Sequence, residues 1–242
     1  TGRNGACGLR RCWRFRRWRL RAQRRRRRQL QSARQRQQRH DAATHGAPTD
    51  ANAHPHISAS GRIALVHNGI IENFAILRAE LEADGVHFAS ETDSEVAAQL
   101  LGREVDRGAT LADGLRTVCR RLEGAFTLVA IDAQAPDTLV AARRNSPLVV
   151  GRGEGEMFVA SDVAAFIEFT REAIEMGQDE VVEVTRDGVR VTDFDGTETQ
   201  GTPYHVDWDL SAAEKGGYDW FMRKEIHEQP DAVANTLRGR YD

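Results

Sequence analysis

The chain has 242 residues, and its 34 basic and 36 acidic side chains give a formal net charge of -2. This length suffices for one large domain or two small ones with a buried core. No stretch reaches the 18 or more uncharged apolar residues that a spanning helix needs, so we expect no membrane partner and predict a cytoplasmic protein.

The charge is distributed very unevenly along the chain. Sixteen arginines, no lysine and no acidic residue fall within residues 1–40, and all 36 acidic residues follow from Asp41 onward. Because this segment has no apolar period of a helix or a strand, we predict that it is disordered in isolation. Its arginines interleaved with Trp13, Phe15 and Trp18 are also typical of a nucleic-acid-binding arm, in which guanidinium groups contact phosphates and aromatic rings stack on bases.

The composition of this segment fits a second interpretation better. Natural basic arms mix lysine with arginine, whereas GC-rich codons read out of frame give Arg, Ala, Gly, Gln and Trp. We therefore favour the hypothesis that residues 1–41 are an out-of-frame translation and expect no nucleic-acid partner, with the arm as the alternative. A globular sequence in another frame of the coding DNA upstream of codon 42 would support this hypothesis, and finding none would refute it.

Residues 42–200 have the patterning of one globular domain. Residues 62–67 predict a buried strand that is closed by a turn at Asn68-Gly69. Three amphipathic helices follow, the first of them ending at Gly85. Their predicted N-terminal caps are Asn73, Thr92 (in a capping box with Glu95) and Thr110.

Beyond Gly124 the pattern changes to short strands. Strands are predicted at residues 125–132, 137–143, 147–151 and 157–161. The Gly-rich segment 151–155 opens no helix, so we interpret it as a hairpin turn and not as a phosphate-binding loop. Ser161 is predicted to cap a short helix, and Asp187-Gly188 to form the two-residue turn of another hairpin. Strands joined mostly as hairpins beside a block of helices predict the α+β class with antiparallel sheets.

The last segment, residues 201–242, has the pattern of a linker. We predict an extended stretch from Pro203, a helical stretch that stops before Pro230, and a second helical stretch from Asp231.

Polar residues that could carry chemistry gather in three places. The histidines lack the spacing of a zinc site, so we predict no metal ion and no cofactor, and packing in loops is the simpler interpretation of His45, His54, His56 and His67. The Asn68 amide and the Gly69 N–H could both point at one spot, as in an oxyanion hole, although Asn-Gly is first of all a turn signal. Asp93, in the first turn of a helix, is either favoured by the helix dipole or a counter-ion for a ligand ammonium group.

These segments together resemble a known family. ATHG, NAHPH, VHNGIIEN and SETDSE, in this order and spacing, resemble the glutaminase domain of the glutamine–fructose-6-phosphate aminotransferases, which are class II glutamine amidotransferases. KEIHEQP near the end of the chain resembles the family's linker, and it disfavours the alternative of another class II amidotransferase. The resemblance covers residues 42–242, and residues 1–41 match nothing in the family.

The resemblance implies an N-terminal-nucleophile hydrolase fold, a four-layer α/β/β/α sandwich, here with its N-terminal part missing. It implies transfer of the glutamine amide nitrogen to fructose 6-phosphate, giving glucosamine 6-phosphate and glutamate, in a homodimeric enzyme of amino-sugar synthesis. An N-terminal cysteine attacks the amide in this family. By resemblance, Asn68 and Gly69 form the oxyanion hole, Asp93 holds the α-ammonium group, Thr44 and His45 lie at the glutamine carboxylate, His54 lies in an active-site loop, and His67 is structural.

The chain also departs from the family pattern. The opening Cys-Gly-Ile motif is not found, and Cys7-Gly8 is neither terminal nor followed by matching residues. Asp41-Ala42 stands where the family has Arg-Trp, and an acidic side chain would repel the substrate carboxylate. The sugar isomerase domains, which bind fructose 6-phosphate, are not matched either. We therefore predict an inactive fragment with an Arg-rich segment at 1–41, a partial glutaminase domain at 42–200 and a linker at 201–242.

Overall fold

The computed structural model describes residues 12–14, 49–186, 188–207, 218 and 220–237. The strands are β1 (Cys12–Arg14), β2 (His56–Ile57), β3 (Ile63–Ile71), β4 (Gly124–Asp132), β5 (Ala135–Arg144), β6 (Val149–Gly153), β7 (Glu156–Ala160), β8 (Glu172–Glu175), β9 (Glu180–Val184), β10 (Val189–Asp193), β11 (Glu198–Thr199) and β12 (Thr202–His205). The helices are α1 (Phe74–Ala83), α2 (Asp93–Asp106), α3 (Leu111–Arg121) and α4 (Phe221–Leu237), with a 3-10 turn at Val163–Ala165.

The described strands form two antiparallel sheets. The larger sheet has the order β11-β10-β9-β5-β4-β3-β2, and the smaller has the order β1-β7-β6-β8-β12. Every strand pair in both sheets is antiparallel. The predicted α+β class with antiparallel sheets is therefore confirmed.

Alternation along β5 shows how the layers are stacked. Val140 and Ala142 pack with residues of α1, α2 and α3 on one face of the larger sheet. Leu139 and Ala141 point the other way and join a core shared with β6, β7 and β8 of the smaller sheet. The outer face of the smaller sheet packs Phe158 against Phe166, just after the 3-10 turn. In the described residues the order is thus helices, sheet, sheet and a short turn.

The Arg-rich segment contributes one short strand to this fold. Residues Cys12–Arg14 pair with Phe158, Val159 and Ala160 of β7. A strand added at a sheet edge is held by backbone hydrogen bonds, which require no apolar period in its sequence. The rest of residues 1–41, for which disorder was predicted, lies outside the described residues.

Two helix caps agree with the prediction and two differ. Thr92 and Thr110 accept the N–H groups of Glu95 and Asp113 at 3.3 and 3.1 Å. Asn73 makes no side-chain cap, because its amide instead donates to the Arg121 carbonyl at 2.8 Å. At the 3-10 turn the capping side chain is Asp162, not Ser161.

Three further details of the chain path differ from the sequence prediction. Gly188, which was predicted to lie in the hairpin turn, instead accepts the N–H of Thr185 beside the β9–β10 pair, while Asp187 lies outside the described residues. Helix α4 continues through Pro230, where an interruption was predicted. Strand β3 does not stop at Asn68-Gly69, because both residues pair with β4, opposite Thr127 and Phe126. The third difference shapes the candidate site.

Candidate functional site

One edge of β3 has only a very short strand partner. Strand β2 pairs with β3 at two positions, Leu65 and Ala64, whereas β4 covers the other edge along all nine residues of β3. Beyond Val66 the edge on the β2 side therefore has no strand against it in the described part of the chain. Backbone N–H groups on such an edge need acceptors from side chains, water or a ligand.

Two side chains supply acceptors to this edge. His54 Nε2 accepts the N–H of His67 at 3.3 Å, and Asp93 Oδ2 accepts the N–H of Ile71 at 2.9 Å. Alternate residues of an antiparallel strand direct their N–H groups to the same edge. Gly69 lies midway between His67 and Ile71, so the alternation directs its N–H to the same edge, between His54 and Asp93.

Position 69 requires glycine on steric grounds. Its φ of +126° is a conformation that other residues rarely adopt. A Cβ added there would lie 2.0 Å from the carbonyl oxygen of Ala125 on β4. Glycine therefore lets β3 continue past this point while keeping its ladder with β4.

The Asn68 side chain lies on the opposite face of the sheet from the helices. Leu65, His67 and Ile71 are buried on the helix-covered face, whereas Asn68 is exposed. Its cross-strand neighbour Thr127 shares its face, as directly paired residues do. The carboxamide of Asn68 is therefore accessible next to the Gly69 N–H.

The first turn of α2 brings a buried carboxylate to this edge. Asp93 is the first residue of the helix and is only 4% exposed. Besides its bond to Ile71, its Oδ1 accepts the Ser94 hydroxyl at 3.4 Å and lies 3.8 Å from His67 Nδ1. The partial positive charge of the helix N-terminus attracts the Asp93 carboxylate.

Helix α2 is held in place by a dense set of hydrogen bonds. The Glu95 carboxylate accepts the N–H groups of Ala89 and Ser90 at 2.9 and 2.6 Å, so it closes the preceding loop instead of reaching back to Thr92. Asn52 Oδ1 accepts the N–H of Glu91 at 3.0 Å. These bonds fix the N-terminus of α2 relative to the loop that carries His54.

A neutral histidine lies beneath this loop. His56 Nε2 is 3.0 Å from the Thr92 hydroxyl, and the side chain is buried. Burial, followed by the neighbouring His54, lowers the pKa of His56 from 6.5 to about 4. The imidazole is therefore uncharged at neutral pH, and its protonation would place a charge under the site.

The structure brings together four of the predicted site residues: Asn68, Gly69, His54 and Asp93. His67 is buried, with its N–H and its ring both engaged by neighbours, as expected of a structural residue. Thr44 and His45 lie outside the described residues. Ser94 and Asn52 were not predicted as site residues from the sequence, although Ser94 belongs to the SETDSE motif.

Three further features of the described residues bear on metal binding, membrane spanning and thiol chemistry. Those residues include no group of three or more His, Cys, Asp or Glu side chains that could hold a metal ion. No described helix is long and apolar enough to cross a membrane. Cys119 of α3 is fully buried in the core, and burial raises the pKa of its thiol.

Comparison with known proteins links this geometry to a family. The family model described as "Glutamine amidotransferase domain" matches residues 40–168, more than half of the chain. Proteins named glutamine–fructose-6-phosphate aminotransferase (isomerizing) are similar to it. The Streptomyces coelicolor protein is 68% identical over 200 residues, and the Corynebacterium diphtheriae protein is 59% identical over 202 residues. The alignments cover 83% of this chain but 32% of each relative, so the chain spans about a third of their length.

Solved structures show a weaker likeness. A glutamine phosphoribosylpyrophosphate amidotransferase from B. subtilis aligns with 27% identity and a TM-score of 0.49, covering 55% of this chain and 29% of that one.

The depressed pKa of His56 predicts a pH-dependent stability. In the unfolded chain the imidazole titrates near 6.5, so between about pH 6.5 and pH 4 the unfolded state binds more protons and stability falls as the pH is lowered. The shift corresponds to about 3 kcal/mol across this window. The variant His56→Gln removes the titrating group while an amide can still reach Thr92.

Chemical denaturation of both proteins at several pH values between 4 and 7 measures this contribution. We expect the unfolding free energy of wild type to fall more steeply with decreasing pH than that of His56→Gln. If the unfolding free energies of the two proteins depend equally on pH, the assignment of a lowered pKa to His56 is contradicted.

Proposed function

Because this chain belongs to the glutamine amidotransferase domain family, we propose that residues 42–200 are a glutaminase domain that binds L-glutamine at the open edge of β3. The observation that carries this proposal is the alternation of His67, Gly69 and Ile71 on that edge. Their two outer N–H groups are held by His54 and Asp93. By strand alternation, the Gly69 N–H between them would face the same edge, where a ligand oxygen could accept it.

In this proposal the amide carbonyl of glutamine lies against Gly69 and Asn68. The Gly69 N–H and the Asn68 carboxamide act as two donors to the oxygen. Such preorganised donors stabilise the negative charge that develops when a nucleophile attacks a carbonyl. The accessible position of Asn68 and the steric requirement for glycine at position 69 support this role.

Asp93 is the proposed partner of the substrate α-ammonium group. A charge-assisted hydrogen bond to a desolvated carboxylate is stronger than one at an exposed site. Its burial and its fixed position at the start of α2 support this role. By resemblance, Thr44 and His45 would lie at the substrate carboxylate, and His54 would order the loop beside them.

For the whole protein we propose the reaction that is named for the relatives with which it shares these motifs. The amide nitrogen of glutamine would pass to fructose 6-phosphate, giving glucosamine 6-phosphate and glutamate. Fructose 6-phosphate would bind in sugar isomerase domains that residues 201–242 would connect, in a cytoplasmic homodimer. The exposed apolar side chains of α4, among them Met222 and Ile226, are in keeping with a connecting segment.

Amide hydrolysis needs a nucleophile at the site, and the described residues offer none there. Cys119 is excluded because its thiol is buried and its raised pKa keeps it protonated. By resemblance, Asp41 stands where the family has an arginine, and its negative charge would repel the substrate carboxylate. We therefore propose that the chain binds glutamine without hydrolysing it. Release of glutamate from glutamine by the purified chain would contradict that part of the proposal.

Ammonium recognition by Asp93 can be tested with two ligands. The variant Asp93→Asn removes the negative charge but keeps an oxygen that can accept the Ile71 N–H. We expect its affinity for L-glutamine to fall about 10-fold or more, because a hydrogen bond between charged groups is worth about 1.5–3 kcal/mol. Isothermal titration calorimetry of both proteins measures the difference.

The control ligand is 4-carbamoylbutyrate, which is glutamine without its α-amino group. It should bind wild type and Asp93→Asn about equally, since it makes no bond to position 93. If Asp93→Asn weakens the binding of both ligands to the same extent, the assignment of Asp93 to the α-ammonium group is contradicted. Absence of L-glutamine binding by the wild-type chain would contradict the proposed function as a whole.

A further inference from the structure

The Ser94 hydroxyl joins three segments of the site. Its Oγ lies 3.2 Å from His54 Nε2, 2.9 Å from His67 Nδ1 and 3.4 Å from Asp93 Oδ1. His54 belongs to the loop before β2, His67 to β3 and Asp93 to α2. Ser94 itself is only 4% exposed, so these contacts are shielded from bulk water.

The direction of each hydrogen bond follows from one backbone group. The N–H of His67 can only donate, so His54 Nε2 accepts it and carries no proton. The Ser94 hydroxyl has one proton, and both His54 Nε2 and Asp93 Oδ1 can only accept it. With that proton donated to one of them, Ser94 Oγ serves as the acceptor for Nδ1–H of His67. The His67 N–H thus places the proton of the His54 imidazole on Nδ1, and the Ser94 hydroxyl does the same for the His67 imidazole.

The N-terminal cap of α2 does not require the Ser94 hydroxyl. Thr92 supplies the cap, since its Oγ1 accepts the N–H of Glu95. A serine at the second helical position could therefore be replaced by alanine without loss of the cap. Its contacts instead all lead to the edge of β3 that carries Gly69.

We propose that Ser94 is a positioning residue for the glutamine site, an inference that rests on the proposed function. By accepting Nδ1–H of His67 and contacting His54 Nε2, Ser94 keeps that nitrogen in place as the acceptor of the His67 N–H. This bond holds the edge of β3 in register two residues before Gly69. Without the hydroxyl, the imidazoles of His67 and His54 both lose their contact with Ser94, so the edge that presents Gly69 is less well ordered.

The experiment compares Ser94→Ala with two other variants of the full chain. Ser94→Thr keeps a hydroxyl at the same position. Ser58→Ala is the matched control, because Ser58 is also 4% exposed and its Oγ accepts the N–H of Ile63 on the same edge of β3, far from Gly69. Nitrogen-15 spectra of the imidazoles report the tautomers, L-glutamine titration reports affinity, and thermal unfolding verifies that each variant folds.

We expect Ser94→Ala to raise the population of His67 protonated at Nε2 and to lower L-glutamine affinity about 10-fold, the loss of one buried hydrogen bond. Ser94→Thr should stay within about 3-fold of wild type, and Ser58→Ala should lose stability while keeping both tautomers and affinity. The inference is overturned if Ser94→Ala binds as wild type does, if Ser94→Thr is as weak as Ser94→Ala, or if Ser58→Ala loses as much affinity.

The two readouts separate this inference from the proposed function. The imidazole spectra need no ligand, so they test the effect of Ser94 on the tautomers directly. If the wild-type chain does not bind L-glutamine, the proposed function fails and the positioning role fails with it. If wild type binds L-glutamine and the imidazole spectra of Ser94→Ala match those of wild type, only the positioning role of Ser94 is contradicted.

Discussion

The site depends on the shortness of β2, which leaves one edge of β3 without a strand partner among the described residues beyond Val66. Each backbone N–H on that edge must find an acceptor, and no main-chain ladder provides one there. His54 and Asp93 satisfy the two outer groups from separate segments. The loop before β2 and the start of α2 are therefore both drawn to the same edge, and Gly69 lies between their contacts.

Helix α2 converts this local requirement into a fixed geometry. Its residue Gly102 lies against Ser58, where an added Cβ would come within 2.4 Å of the serine Cβ. This close approach packs α2 onto the turn between β2 and β3. At the other end of α2, the Glu95 carboxylate holds the backbone of Ala89 and Ser90. Asp93 and Ser94 consequently lie on a rigid helix that is fixed at both ends, and not on a loop.

Much of the fold follows from local sequence patterns, and the differences have definite physical causes. The strands after Gly124 and the Thr92 and Thr110 caps depend on neighbouring residues, so the sequence predicts them well. Asn68-Gly69 was predicted as a turn, yet pairing with β4 keeps both residues in the strand. Asn73 was predicted as a cap, but a carbonyl 48 residues away takes its amide. In both cases a partner that is distant in the sequence determines the conformation or hydrogen bonding of the residue.

The candidate site was only partly predictable for the same reason. Asn68, Gly69, His54 and Asp93 came from motifs, and the structure brings them to one end of β3. No local pattern distinguishes the Ser94 hydroxyl from that of any serine in the first turn of a helix. Its significance depends on His54 and His67, which lie 40 and 27 residues away in the chain. Only the folded arrangement identifies it.

The most direct measurement is a map of amide chemical shifts in the nitrogen-15-labelled chain during titration with L-glutamine. We expect the largest changes at the Gly69 backbone N–H and the Asn68 side-chain amide, with smaller changes at His67 and Ile71. Saturable binding whose shifts lie elsewhere, with Gly69 and Asn68 unchanged, would contradict a glutamine site at this edge of β3.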